Sequence, residues 1–421
     1  MRQASCFLVS CALVLILVRC GSPERTDPRG PRSGVWRLLL HLGEKDLPVL
    51  FELHRSSDGD LRLDVLNGDE RIAVDDVLWR GDSLRIRMPL YDSEFIGVLR
   101  GDSVLTGNWH NYLKGPEYAI PFSAQAGIPH RFTAIAPAST RRTDGTWQVH
   151  FSPGTAHVYP ALGVFDRDEQ GRVTGTFLTE TGDYRYLEGV QSGDSLLLSG
   201  FDGSFAFLFA AELRNDTLFG RFWSGSHWEE PWVAVRDPYF RLRDPDSLTF
   251  LREGHSMAHF AFPDLDGEVV SSSDERFQGR VLLVQVMGSW CPNCVDETRL
   301  LNELYAKYHD EGLEVLAIGF EKYEEPDRAT KALRKYRDAL HVQYPVLYAG
   351  KAGKEAAAEK LPFLNHVMSF PTCVMIDRSG VVRRIRTGIY GPGTGEHYTT
   401  YKRSLDLFIR RLLDEHAGSR S

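Results

Sequence analysis

Arg280-Val281-Leu282-Leu283-Val284-Gln285-Val286-Met287-Gly288-Ser289-Trp290-Cys291-Pro292-Asn293-Cys294 is the stretch that decides the fold. Its nearly continuous apolar run is what a strand buried on both faces of a sheet requires. The run stops at Gly288-Ser289. A helical pattern follows, with Leu300, Leu301, Leu304, Tyr305 and Tyr308 on one face. Leu313-Glu314-Val315-Leu316-Ala317-Ile318-Gly319-Phe320 then reads as a second strand. This strand–helix–strand order implies a central sheet containing a parallel pair, and it places Cys-x-x-Cys at a strand-to-helix junction.

Two further motifs flank that core. Phe260-Ala261-Phe262-Pro263-Asp264-Leu265-Asp266-Gly267 reads as a strand running into a hairpin, and Ser369-Phe370-Pro371-Thr372 precedes another strand and hairpin. With Trp290-Cys291-Pro292-Asn293-Cys294 between them, residues 255–415 resemble the TlpA/ResA-like family of thioredoxin-fold extracytoplasmic thiol–disulfide oxidoreductases. The resemblance covers about 160 of 421 residues. A lone Cys-x-x-Cys is a weak signal, whereas three motifs in this order are a specific one.

The residue types suit that chemistry. A sulfur at a helix N-terminus meets unpaired N–H groups and the positive end of the helix dipole, which favour the attacking thiolate. That assigns attack to Cys291 and resolution of the mixed disulfide to Cys294, one turn later, with Pro292 suited to an early helical position. The resemblance implies a redox-active Cys291–Cys294 disulfide, a cis-proline loop at Phe370-Pro371 forming a substrate surface with Trp290, and proton handling by Glu297. A solvated Glu297 in the first helical turn is the plainer alternative. Gln285 stands where thioredoxin has a buried carboxylate, and Arg299 replaces a proline common in the family's helix. Half a zinc site, an inert disulfide and a peroxidatic cysteine are the competing readings of the pair. No second cysteine pair exists for zinc, and a peroxidatic site takes a Thr-x-x-Cys form. No metal and no cofactor is expected. Cys373 reads as a buried free thiol, with a third redox partner as the alternative, and His255 and His259 read as structural. Ala356-Ala357-Ala358-Glu359-Lys360-Leu361 reads as a helix.

The N-terminus has a different character. A basic start and an apolar run from Phe7 to Val18 have the size of a signal-peptide core. Leu17-Val18-Arg19-Cys20 resembles a lipobox, although Arg19 is large and charged where a small residue is usual. The expectation is a lipoprotein signal peptide over 1–20 with lipid attachment at Cys20, then a tether over 21–33. Ordinary secretion and an uncleaved anchor are the alternatives. All three place the remainder outside the cytoplasm, in the periplasm or cell envelope.

Between lies a β-rich region that repeats. Gly34-Val35-Trp36 recurs as Gly145-Thr146-Trp147, Gly81-Asp82-Ser83-Leu84 as Gly193-Asp194-Ser195-Leu196, and Asp102-Ser103-Val104-Leu105-Thr106-Gly107 as Asn215-Asp216-Thr217-Leu218-Phe219-Gly220. The offsets, about 111 to 113 residues, indicate two copies of one all-β antiparallel module, barrel- or sandwich-like, over 34–127 and 143–237. A lipocalin-like barrel or half-barrel is favoured. Gly-Asp-Ser-Leu resembles an esterase nucleophile block, but its place in repeat register reads better as a turn. A small ligand cavity inside a barrel, lined by Trp109, Trp147, Phe205, Phe207 and Trp223, is the alternative to reading these aromatics as plain core.

Net charge is −8 without a long basic run, which argues against nucleic acid as a partner. The predicted function is reduction of disulfides in extracytoplasmic proteins, with a membrane electron donor resupplying the dithiol. The alternative is a cell-envelope ligand- or partner-binding protein with an auxiliary redox domain. The motif does not fix direction, so oxidase or isomerase activity stays open.

Overall fold

The computed structural model describes residues 30–134 and 141–415. The expected signal peptide and Cys20 lie outside the described residues. The expected tether ends early: residues 30–33 pack on the first β module, where the Arg32 carbonyl accepts the Trp36 indole N–H at 2.8 Å and the Arg32 amide donates to the Asp102 carbonyl at 2.8 Å.

Eight antiparallel strands from Gly34–Leu42 to Ala119–Ala126 form a closed up-and-down barrel. Alternation fills it: Leu61, Leu63 and Val65 point inward with polar residues between them. A second ring runs from Gly145–Phe151 to Trp228–Arg236 and closes through pairing of Tyr159–Arg167 with Arg172–Thr179. The short strand Gly182–Asp183 hangs from its edge.

The repeat is visible at the level of single hydrogen bonds. The Trp147 indole donates to the Thr143 carbonyl, four residues back, as Trp36 does to Arg32. Gly81 and Gly193 each turn a hairpin at positive φ, +64° and +58°, where a side chain would be strained. The next carbonyls, of Asp82 and Asp194, accept from Leu99 and Leu213. These are turns, with Ser83 and Ser195 exposed.

The lumens are packed with aromatic residues. Trp109 fills the first barrel and Trp147 the second, while Trp223 packs against the first barrel's core from outside. Trp109 and Trp147 are core, and Trp223 lines only an open hollow on the outer face of the second barrel. Phe201, from the second barrel, closes the open end of the first, with ring centroids 5.4 Å from Phe95 and 5.1 Å from Trp109. Asn67 and Arg131 make this junction polar as well as apolar. The Asn67 amide donates to the Phe201 carbonyl at 2.8 Å, and buried Arg131 donates to Asn67, Ser199 and the Pro48 carbonyl.

The C-terminal domain has a five-stranded sheet in the order Val346–Lys351, Leu313–Glu321, Val281–Met287, Thr372–Ile376, Val382–Thr387, parallel across the first three and antiparallel beyond. All residues of Val281–Met287 are buried. Helices α1 (Pro292–Tyr308), α2 (Pro326–Ala339) and α4 (Glu396–Asp414) pack on the face bearing Leu283 and Val315. The other face, with Leu282 and Val284, is covered by Phe260, Phe277 and α3 (Lys354–Lys360). Packing begins before residue 255, since Thr249 is buried and Asp246 pairs with Arg386 at 2.9 Å. Among the described residues, no helix is long and apolar enough to cross a membrane.

Candidate functional site

Period-two alternation aims Gln285 at α1, and this arranges the helix start. Its amide donates to the Cys294 carbonyl at 3.2 Å and its oxygen accepts from Thr298 at 2.9 Å. Cys291 is the N-cap of α1. Its sulfur accepts the Cys294 N–H at 3.2 Å and lies 3.3 Å from the Phe370 carbonyl. The Phe370–Pro371 bond is cis. Trp290 packs edge-on to Phe370, donates its indole N–H to the Phe320 carbonyl at 2.9 Å and carries Lys322 over its ring.

The two thiols, both free, differ in surroundings. Cys291 is 5% exposed and Cys294 fully buried. Burial, then the adjacent Cys291 sulfur, pushes the Cys294 thiol well above its ordinary range. Cys294 therefore holds its proton until a base takes it. Cys373 is also buried and raised by burial, on the strand next to Gln285. His255 and His259 are exposed. Among the described residues, no group of three or more potential ligands is placed to hold a metal.

Glu297 is 1% exposed, and neither carboxylate oxygen meets a partner at bonding geometry. It is not the solvated helix-start glutamate of the plainer reading. Burial raises it to about 7, with the Gln285 amide and the Arg386 charge only partly opposing. The folded chain thus keeps a proton that the unfolded chain releases near 4.5. This contribution to stability is complete below that value and is lost as pH rises through 7. Glu297→Gln should remove it, gaining on the order of 3 kcal/mol over the parent at pH 8 and almost nothing at pH 4. Urea unfolding at both pH values measures this, and equal pH slopes in the two proteins would refute it.

Several site residues escaped the sequence reading. Glu321 ends a buried strand and holds the loop before the cysteines by accepting the Ser289 N–H and hydroxyl, both at 2.8 Å. Burial raises it to about 7. A charge closing an apolar run was its available signal. The second barrel supplies the rest. The Thr181 carbonyl accepts the Ser369 hydroxyl at 2.6 Å, and the Asp183 carbonyl accepts the Asn293 amide at 3.3 Å. Arg185 donates to the Pro292 carbonyl at 3.0 Å and pairs with Asp296 and, in the first barrel, Glu70. Gly182 holds φ at +136°, which a side chain would strain, and a Cβ there would also lie 2.0 Å from the Asn293 amide nitrogen. Nothing local in the sequence around 179–187 marks it as part of the redox site.

A dithiol at a helix start, with the N-cap sulfur beside a cis-proline loop in a thioredoxin fold, defines the thiol–disulfide oxidoreductase class. Residues 252–397 match the Redoxin family, so the C-terminal part of this chain is a Redoxin domain. Thioredoxin-like protein YneN of Bacillus subtilis is 29% identical over 138 residues, covering 33% of this chain and 73% of the relative. Thiol-disulfide oxidoreductase ResA of Bacillus thuringiensis subsp. konkukian is 29% identical over 153 residues, covering 36% and 78%. Among solved structures, a thioredoxin-family thiol:disulfide interchange protein from Chlorobium tepidum TLS is similar at 19% identity and a TM-score of 0.29, covering 38% of this chain and 98% of that one.

Proposed function

We propose that this protein reduces disulfides of extracytoplasmic proteins through Cys291 and Cys294. The observation that carries the reading is the asymmetric pair itself: a sulfur capping α1 beside the Phe370 carbonyl, and a second thiol sealed behind it. The Cys291 thiolate attacks one sulfur of the substrate, the substrate S–S bond breaks, and the departing thiolate takes up a proton. Cys294 then gives its proton to Glu297 and attacks the Cys291 sulfur. The second substrate sulfur leaves as a thiolate and takes up a proton from water, Glu297 gives up the one it received, and a Cys291–Cys294 disulfide remains. Two electrons pass from dithiol to substrate, and a membrane-bound dithiol donor returns them. Trp290, Phe370 and Pro371 form the surface against which the substrate chain lies.

The leader supports export and tethering through acylated Cys20. Reduction of insulin by the soluble protein tests the activity. The parent chain should precipitate insulin B chain in the presence of dithiothreitol, and Cys291→Ser should not exceed the rate with dithiothreitol alone. Equal rates for the two proteins would end the reading.

A further inference from the structure

The second barrel does more than touch the redox domain. Its end nearest Cys291 is hollow, and a cavity of about 520 Å³ runs from that end to the cysteine. On the barrel side the walls are Tyr159, Tyr184, Phe205, Phe207, Phe222 and Trp228. On the redox side they are Cys291, Met368 and Phe370. The volume falls within the range of ordinary small-ligand sites, about 300–1,000 Å³.

The charged groups in the wall are already engaged. Glu230 accepts from the Ser152 hydroxyl at 2.6 Å, the Tyr159 hydroxyl at 2.8 Å and the Trp228 indole at 3.1 Å. Asp183 accepts the Gly391 N–H at 2.6 Å, and Asp202 accepts the N–H groups of Ser204 and Phe205. Arg185 is held by Asp296 and Glu70. What remains for an occupant is aromatic surface, polar edges of Ser224, His227 and Asn293, the exposed ammonium of Lys354 at the rim, and a thiol.

We propose that the second barrel is the substrate-selecting half of a composite site, seating the apolar side chains that flank a cysteine in a disulfide-bearing peptide segment while Cys291 attacks its sulfur. This rests on the thiol–disulfide reading above. A small amino-acid-derived disulfide carries charged termini close to its sulfurs; Lys354 stands only at the rim, and the aromatic walls beside Cys291 would strip water from those charges at a cost. A mid-chain segment has none. Its neutral backbone passes Phe370, and its apolar side chains displace water from the rings. Trp228, 53% exposed, and Lys354 flank the way in.

The test uses the leaderless chain and two short cyclic peptide disulfides, one with Phe on both sides of a cysteine and one with Ser. The parent should favour the Phe peptide in kcat/KM by about tenfold or more, as burial of one aromatic side chain implies. Phe205→Ala and, separately, the surface change Trp228→Ala should shrink that ratio several-fold. Phe219→Ala, on an exposed outer position of the same barrel, should leave it unchanged. Circular dichroism checks folding, and Trp228→Ala keeps the test valid should Phe205→Ala misfold. Equal rates for the two peptides, or preference for a small aromatic disulfide over both, would overturn the composite site while leaving the reductase reading intact if Cys291→Ser is inactive. Parent activity no greater than that of Cys291→Ser on every substrate would instead remove the reductase reading.

Discussion

Cys294→Ser should convert the protein from a turnover catalyst into a trap. Substrate will remain bonded to the Cys291 sulfur, visible as adducts on non-reducing gels that vanish with added thiol. The argument is geometric. Cys294 is completely buried one helical turn behind Cys291, so once it is gone nothing next to the mixed disulfide can resolve it except small thiols from solution. Reductase turnover should fall to background although the first attack proceeds. The Cys291→Ser/Cys294→Ser chain should show no adducts. Cys373 is the internal control. It is buried on the strand beside Gln285, and a Cys291–Cys373 bond in place of adducts would contradict the assignment of Cys294 as sole resolver. In the native cell, mass spectrometry of the trapped species names the substrates.

Arg185→Ala should be the most destabilising single change in the interdomain region, at about 3–5 kcal/mol. The guanidinium sits where both barrels and the redox domain meet, pairing with Glu70 and Asp296, with Asp202 at 3.9 Å. All these side chains are at most 10% exposed. Truncating Arg185 leaves several buried carboxylates around one vacated position, and burial then forces them to take up protons. The loss should therefore be largest above neutral pH and smaller in acid. Urea unfolding at two pH values measures it, and limited proteolysis should show faster cleavage between the second barrel and the redox domain. A change below about 1 kcal/mol with unaltered proteolysis would show that the charges are not coupled as drawn.

How much of this was legible beforehand depends on how local each signal is. The run from Val281 to Met287 and the Cys-Pro-Asn-Cys after it are contiguous, so strand, helix start and cysteine pair could be read directly. The duplication was legible because both copies keep the same turn residues, whereas closure into rings was not, because it depends on pairing the first and last strands of each copy. The fate of Gln285 was half visible: its period-two position is plain, but its hydrogen bond to the Cys294 carbonyl requires the helix to be in place. Arg185, Asp183 and Thr181 were invisible. They act through groups more than 100 residues away in the chain, Pro292, Asn293 and Ser369, and no spacing rule joins them. Which aromatics are core and which line a cavity was undecidable for a related reason. Trp109, Trp147 and Trp223 look like Phe205 and Phe207 in sequence, and only the placement of the barrel ends separates core from cavity.

The way Phe201 closes the first barrel bears on how the chain is made. Two barrel ends in this molecule face something synthesised later: Phe201 arrives after the first barrel is complete, and Cys291 with its loop arrives after the second. A chain emerging from its N-terminus therefore passes through stages in which a finished module exposes an uncovered ring of aromatic residues. Those stages are its sticky ones. Fragments ending after residue 134 or 237 would carry that exposure permanently, so expression of the modules one at a time should yield aggregation where the whole chain stays dispersed.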